Sequence, residues 1–227
     1  MDALLLDFNG VIVNDEPLHF ASFRAILGEE GIALDEPTYY AEYLGMDDRS
    51  AFREAMRRAD LSTEPAHIQR LVSRKAEAYA GLAARGLPVV PGVRDFVRAA
   101  ADRSRLAVVS GALRQEIDTG LTQAGVADFI DVVISPADVA TTKPDPGGFQ
   151  LAMRRLAERH GSGTWRAAVV EDSLPGLAAA RALGAGCLML TTSHDAAHLK
   201  GADAVWDSFS GHAPEELGPL WRPVAAR

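Results

Sequence analysis

Five short runs of apolar residues recur along the chain. Each run is rich in Val, Leu and Ile and does not alternate with polar positions. This pattern is typical of strands that are buried on both faces of a parallel sheet. It predicts strands at residues 3–8, 106–111, 131–135, 167–172 and 186–190.

Amphipathic helical patterns lie between most of these strands. Glycines stand at several of the predicted helix ends, where a left-handed backbone conformation is favoured. Because strands that alternate with helices are joined by right-handed crossovers, the pattern predicts a doubly wound, Rossmann-like α/β fold with a parallel sheet. The predicted helices span residues 92–103, 112–125, 147–161 and 175–186.

The segment between the first two strands breaks this alternation, because it has no strand pattern. We expect Asp15 to cap the first helix of the segment, with Pro17 in its opening turn. The proline-containing stretch 87–92 is the predicted return linker. The helical patterns of the segment cover residues 16–31, 47–60 and 64–86.

The sequence therefore predicts two parts. Residues 1–14 and 88–227 form an α/β core domain, and residues 15–87 form an inserted all-helical cap domain. Inserts of this kind often cover an active site and close on the substrate.

Composition narrows the possible partners and the compartment. The chain has 227 residues, 48% of them hydrophobic, and a net charge of −8, which disfavours nucleic acid and anionic membranes as general partners. Its single cysteine, Cys187, lies in an apolar run and is expected to be a buried strand residue. We find no signal-peptide pattern and no membrane-spanning run, and therefore expect a cytoplasmic protein. No obligate protein partner is evident from the sequence.

Polar residues follow four of the predicted strands. Since ligands of parallel α/β sheets bind at the carboxyl ends of the strands, these residues are candidates for a shared site. Each alone has a structural explanation, as a turn former, a helix cap or a solvated loop residue. They are Asp7, Ser110 with Gly111, Lys143, and Glu171 with Asp172.

Together these groups suit phosphoryl transfer. A carboxylate such as Asp7 can attack phosphorus if the charge of the phosphate is offset, and acidic oxygens can hold Mg²⁺ for this purpose. Lys143 can neutralise charge on the equatorial oxygens. Ser110 and the amides of Gly111 and Ala112 are expected to open a helix and to suit a phosphate group.

Four motifs resemble those of the haloacid dehalogenase superfamily, and in particular of its β-phosphoglucomutase-like phosphatases with a helical cap. "DFNGVIVNDEPLH" is similar to the first motif, "VVSGA" to the second, "KPDP" to the third and "VVEDS" to the fourth. The four motifs together are specific, although any one of them is weak.

The resemblance implies a role for each matched residue. It implies that Asp7 is the nucleophile and an Mg²⁺ ligand, that the main-chain carbonyl of Asn9 is a second ligand, and that Asp172 with Glu171 completes the metal site. Ser110 and Lys143 are implied to hold the phosphate of a small phosphorylated metabolite. The implied substrate contacts of the cap and its hinge are His19, Arg49 and Lys75.

Asn9 departs from the family pattern, which has a second Asp at this position as general acid and base. A carboxamide has no proton that titrates near neutral pH, although its backbone carbonyl is unaffected. One hypothesis is a slow or selective phosphatase in which another group, such as His19, or water moves the proton. A second is a module that binds a phosphorylated ligand without turnover, and a third is an engineered change that traps a complex.

Other activities of the family rank lower. A sugar phosphomutase also needs a proton shuttle. Relatives that act as 2-haloacid dehalogenases lack the second Asp but do not use Mg²⁺, whereas Glu171 and Asp172 are suited to a metal. Phosphonate cleavage would require a Schiff-base lysine, and Lys75 is the only lysine of the insert.

Overall fold

The computed structural model describes residues 1–44 and 46–225. Within them the chain divides into two compact units. Met1–Asn14 and the chain from Pro88 onward form the α/β unit, and Asp15–Leu87 form the helical unit.

The α/β unit contains the sheet. The described residues form seven strands: β1 (Asp2–Leu6), β2 (Arg105–Val109), β3 (Val132–Ile134), β4 (Trp165–Glu171), β5 (Gly186–Leu190), β6 (Ala204–Trp206) and β7 (Arg222–Val224). The strand order is β3-β2-β1-β4-β5-β6, and every pair along this path is parallel. This is the doubly wound order in which the carboxyl ends of β1 and β4 meet at the point where the winding reverses.

Four helices of this unit connect the strands: α5 (Val93–Ala101), α6 (Arg114–Ala124), α7 (Gly147–His160) and α8 (Leu174–Leu183). α6 and α8 end at Gly125 and Gly184, which have positive φ values of 68° and 85°. The predicted parallel α/β sheet is confirmed, because five strands and four connecting helices lie close to their predicted positions.

The core of the α/β unit lies between the sheet and its helices. Leu4, Leu5 and Leu6 of β1 are fully buried, as expected of a central strand with helices on both faces. Trp165 at the start of β4 is also fully buried, and its indole Nε1 donates to the Gly161 carbonyl at 3.3 Å. This packing makes the central strands a rigid support for the residues that follow them.

The helical unit has four described α-helices: α1 (Glu16–Glu29), α2 (Glu36–Glu42), α3 (Asp48–Arg58) and α4 (Pro65–Ala83). Asp35 caps α2 by accepting the Thr38 amide at 2.8 Å. Asp47 caps α3 by accepting the Ser50 amide at 3.0 Å. The described residues of this segment form no strand, as expected from the sequence.

Several expectations were wrong or incomplete. The sequence patterns did not predict α2, β6 or β7, which are only seven, three and three residues long. β7 is also antiparallel to its neighbour β4, and so departs from the purely parallel prediction. Elements this short carry too few positions for a periodic pattern to emerge.

Asp15 precedes α1 but does not cap it through its side chain. Its carboxylate instead accepts the Tyr79 hydroxyl at 2.6 Å and lies 3.3 Å from His19 Nε2. Asp15 is 5% exposed, so these partners, rather than the helix amides, satisfy a buried charge. Pro17 does lie in the opening turn of α1, as predicted.

Among the described helices, none combines the length and the apolar character needed to cross a bilayer.

We expect Phe52→Ala to destabilise the helical unit. Phe52 is fully buried and its ring centroid lies 4.4 Å from that of Phe23, so truncation should lower the free energy of unfolding by about 3–5 kcal/mol. Urea denaturation followed by circular dichroism measures this loss. Leu61→Ala is the control, because Leu61 is 40% exposed and its truncation should have little effect; equal losses in the two variants would contradict the prediction.

Candidate active site

The candidate site lies where β1 and β4 end. These strands are adjacent and parallel, with Leu6 opposite Val170. The Asp7 amide continues the ladder by donating to the Val170 carbonyl at 2.9 Å. Asp7 is therefore held by the sheet beside Glu171 and Asp172, the residues that end and follow β4.

These three carboxylates form a buried acidic cluster. Asp7, Glu171 and Asp172 are 8%, 0% and 4% exposed, and one oxygen of each lies within 4.8 Å of the others. Mutual repulsion and the loss of hydration both disfavour three negative charges in such a space. The cluster therefore needs a compensating cation or proton.

Lys143 supplies one compensating charge. Its Nζ donates to Asp7 Oδ1, to Glu171 Oε1 at 2.5 Å and to the Val109 carbonyl at 2.8 Å. An ammonium has three hydrogens, so this geometry uses all of them. All three N–H groups of the Lys143 ammonium thus donate to protein oxygens, and a phosphate group would have to compete with these acceptors.

The pKa values reflect this environment. Burial, together with the repulsion from Glu171, raises the pKa of Asp7 to about 7 against the opposing effect of Lys143. Burial, with Asp7 and Glu171 nearby, raises the pKa of Asp172 to about 8. Burial works against the charge on Lys143, but Asp7 and Glu171 outweigh it and raise the lysine pKa.

Glu171 is held more tightly than the two aspartates. Its Oε2 accepts the Asp172 amide at 3.1 Å, the Ser173 amide at 3.2 Å and the Ser173 hydroxyl at 2.9 Å. Its Oε1 accepts Lys143. Both of its oxygens are therefore engaged, and Glu171 orients Lys143 and the turn that carries Asp172.

Two glycines make room for the carboxylates. A Cβ at Gly10, where φ is +74°, would lie 1.8 Å from Asp172 Oδ2. A Cβ at Gly176 would lie 1.9 Å from the carboxyl carbon of Glu171. Any side chain at either position would displace an acidic group, so the backbone itself forms part of the wall of the site.

Ser110 follows β2 and is 7% exposed, but the expectation that Ser110, Gly111 and Ala112 open a helix was wrong. α6 begins at Arg114, four positions after Ser110, and the Ala112 amide donates to the Ser110 hydroxyl oxygen at 3.0 Å. The Ser110 side chain thus hydrogen-bonds to the backbone of its own turn, and these residues do not form the first turn of a helix. A cavity of about 150 Å³ adjoins this turn, with Ser110, Gly111 and Lys143 among its lining residues.

Asn9 is half-buried in the turn after Asp7 and pairs with Val13 through a backbone bridge. The Phe8 carbonyl accepts the amide of Ile12 at 2.8 Å, and the Gly10 amide donates to the Val13 carbonyl. The backbone around Asn9 is therefore fixed by hydrogen bonds within the turn.

The helical unit brings together His19 and Lys75. Lys75 Nζ lies 2.7 Å from His19 Nδ1 and donates to Asp48 Oδ1 at 2.7 Å. Lys75 is 3% exposed, and Asp48, which is distant in sequence, pairs with its charge. Arg49 is exposed and donates to Gln69.

His19 has a partner on each ring nitrogen. Since the Lys75 ammonium can only donate, His19 Nδ1 is the acceptor, and Nε2 carries the proton that faces Asp15 Oδ2 at 3.3 Å. The imidazole also stacks on Tyr79, with ring centroids 4.4 Å apart.

The sequence analysis missed Thr192 and Ser193, which follow β5. Ser193 Oγ donates to Asp172 Oδ2, and Thr192 Oγ1 donates to the Gly10 carbonyl at 2.7 Å. The rule applied to the first four strands, that polar residues at strand ends are candidates, would have found both had it been extended to β5.

The chain is similar to known phosphatases in sequence. The chain is 26% identical over 217 residues to validoxylamine A 7'-phosphate phosphatase of Streptomyces hygroscopicus subsp. limoneus, covering 95% of this chain and 97% of that protein. It is 28% identical over 181 residues to a fructose-1-phosphate phosphatase of Escherichia coli, covering 80% of this chain and 92% of that protein.

Among solved structures, the chain is similar to CbbY from Rhodobacter sphaeroides in complex with phosphate. The TM-score is 0.69 at 27% identity, covering 92% of this chain and 95% of that chain. The model of the haloacid dehalogenase-like hydrolases matches residues 1–184. This match spans most of the chain and includes the acidic cluster and Lys143, and the chain therefore belongs to the haloacid dehalogenase-like hydrolase family.

Proposed function

We propose that the chain is an Mg²⁺-dependent phosphatase that removes phosphate from a small phosphorylated metabolite of the sugar-phosphate class. The observation that carries the proposal is the buried cluster of Asp7, Glu171 and Asp172, bridged by Lys143, at the carboxyl edge of the sheet. The relatives named as phosphatases of fructose 1-phosphate and validoxylamine A 7'-phosphate support the substrate class.

The residues present fit Mg²⁺. When all three buried carboxyls are ionised, one ammonium leaves two negative charges to offset, and hard oxygen donors are what Mg²⁺ prefers. The absence of a side chain at Gly10 lets the Asp172 carboxylate lie against the backbone next to Asn9. Asp7, Asp172 and the Asn9 carbonyl would hold the ion, with Glu171 as the third carboxylate of the cluster, and the bound ion would offset the charge of the phosphate.

Asp7 would act as the nucleophile. A carboxylate oxygen attacks phosphorus, an aspartyl-phosphate forms on Asp7, and the bond to the leaving oxygen breaks. Water then attacks the phosphorus and releases inorganic phosphate with regeneration of the Asp7 carboxylate. Ser110, the Gly111 and Ala112 turn and Lys143 would orient the phosphate group, and His19, Arg49 and Lys75 are proposed substrate contacts.

Asn9 would make this enzyme slow or selective. Its carboxamide cannot protonate the leaving oxygen or deprotonate the attacking water, and the loss of such a group lowers rates by about 10²–10⁴-fold. The rate would fall least for substrates whose leaving groups are stable as anions. His19 offers no ready substitute, because Lys75 and Asp15 engage both of its ring nitrogens.

A module that binds phosphorylated ligands without turnover is the second candidate. Asn9 is the observation that favours it, since the rest of the cluster would still bind a metal and a phosphate group. Turnover separates the two functions.

We expect Asp7→Asn to abolish phosphate release, because the amide is not a nucleophile towards phosphorus. The measurement is phosphate release from fructose 1-phosphate and from an aryl phosphate, with Mg²⁺ and with chelator. Asp95→Asn is the matched control, because the Asp95 side chain is 84% exposed on α5. Equal activity of Asp7→Asn and wild type would show that Asp7 is not the nucleophile.

Asn9→Asp should raise the rate of phosphate release by about 10²–10⁴-fold for alkyl phosphates, and by less for aryl phosphates, because it restores a titratable group. Steady-state kinetics on both substrate types measures the effect. The control is Asn14→Asp, at the only other asparagine of the chain. Should Asn9→Asp turn over while wild type does not, the chain as given is the binding module; should the two be equal, the proton is carried elsewhere.

The stability of the metal-free protein should fall as pH rises from about 4 to about 8. The folded-state pKa of Asp172 is raised from 3.8 to about 8, so the folded state binds more protons than the unfolded state across this window. The contribution of protonated Asp172 to stability is therefore fully present below its pKa in the unfolded state. This contribution is lost as pH rises through its pKa in the folded state. Asp7, raised to about 7, acts in the same direction.

Thermal unfolding in chelator across this pH window tests the prediction. The slope of Tm against pH should be smaller in Asp172→Asn than in wild type. Added Mg²⁺ should raise Tm more at the alkaline end, because it replaces the protons that the cluster would otherwise bind. The same pH slope in wild type and Asp172→Asn would exclude Asp172 as the source.

A further inference from the structure

The turn after β5 presents two hydroxyl groups to the acidic cluster. β5 is the parallel neighbour of β4, with Glu171 opposite Met189. The residues that follow β5 are therefore brought beside Asp172, which follows β4.

Ser193 contacts the cluster directly, because its Oγ donates to Asp172 Oδ2. Asp172 is 4% exposed, so water supplies little of the hydrogen bonding that a carboxylate in this position needs. A hydroxyl that donates to Oδ2 fixes the rotation of the carboxylate and leaves Oδ1 free of this contact.

Thr192 links the same carboxylate to the loop after Asp7. Its Oγ1 lies 2.7 Å from the Gly10 carbonyl and 3.4 Å from Asp172 Oδ2. Since a hydroxyl has one hydrogen, the shorter contact is the donated bond. Thr192 therefore holds the Gly10 peptide, next to Asn9, close to Asp172. Gly10 can lie this close because it has no Cβ.

We propose that Thr192 and Ser193 are positioning residues that set the Mg²⁺ affinity of the site. Ser193 orients Asp172, and Thr192 fixes the Asn9–Gly10 backbone relative to it, so that the oxygens that would hold the ion are placed before it binds. This inference rests on the Mg²⁺ site of the proposed function. It goes beyond that function because the turn after β5 belongs to none of the four motifs and lies beyond the region matched by the family model.

Removal of a residue that hydrogen-bonds to a metal ligand typically lowers metal affinity by about 10–100-fold. A hydroxyl that only anchored the turn would change stability and leave Mg²⁺ affinity as it was. The Mg²⁺ concentration that half-saturates the rise in Tm separates the two roles, and it is measured without substrate.

The experiment compares wild type, Ser193→Ala and Thr192→Val in Mg²⁺ titrations followed by thermal unfolding. We expect the half-saturating Mg²⁺ concentration to rise about 10-fold or more in each variant. Thr192→Ser should restore the wild-type value, because it keeps the hydroxyl. The matched control is Thr191→Val, one residue away, for which the structure describes no side-chain contact to the cluster and no change in Mg²⁺ affinity is expected.

Unchanged half-saturation in both Ser193→Ala and Thr192→Val would overturn the proposal, as would failure of Thr192→Ser to restore it. Phosphate release by the same proteins distinguishes this result from a failure of the proposed function. Weaker Mg²⁺ binding in the variants of a protein that hydrolyses nothing supports the positioning role and refutes the phosphatase. Mg²⁺-dependent turnover with unaltered Mg²⁺ affinity refutes the positioning role and retains the phosphatase.

Discussion

The hydrogen bonding of the half-buried Lys143 ammonium is the interaction on which the candidate site depends. It donates to Asp7 after β1, to the Val109 carbonyl at the end of β2 and to Glu171 at the end of β4. One side chain thus ties together three adjacent strand ends of the sheet. Without it, three carboxylates would share a buried space with no opposing ammonium, and only bound protons or a bound cation could offset their repulsion.

The parallel sheet determines which groups can meet in this way. The ends of β1 and β4 are neighbours in space although Asp7 and Glu171 are 164 positions apart in the sequence, and β5 adds the turn that carries Thr192 and Ser193. Glu171 has both oxygens engaged, whereas the Asp172 contacts described here converge on one oxygen. Two adjacent acidic residues are therefore held by different sets of hydrogen bonds.

The sequence was informative wherever a local pattern corresponds to a position in the fold. Runs such as residues 167–172 predicted central strands, and the rule that ligands bind at strand ends placed Asp7, Lys143 and Asp172 in one predicted group. The first turn after β2 was mispredicted, because Ser110 can hydrogen-bond within its own turn as readily as at a helix start.

Long-range pairing was not accessible from the sequence. Lys75 lies on a helix with many polar residues, and only the fold shows that Asp48 and His19 enclose its ammonium. The side chain of Asp15 is likewise directed to Tyr79, which lies 64 residues further along the chain. Such pairs depend on how helices pack, and a single sequence holds no periodic signal of them.

The pairing of two lysines with carboxylates has a practical consequence for chemical labelling. The chain contains lysine only at positions 75, 143 and 200, and the first two are engaged by carboxylates. Lys200 is exposed, and the terminal amine of Met1 donates to the Thr164 carbonyl. Since Met1 is 49% exposed, an amine-reactive fluorophore used on the folded protein should therefore attach at Lys200 and at the terminal amine, and much less at the two lysines that carboxylates engage.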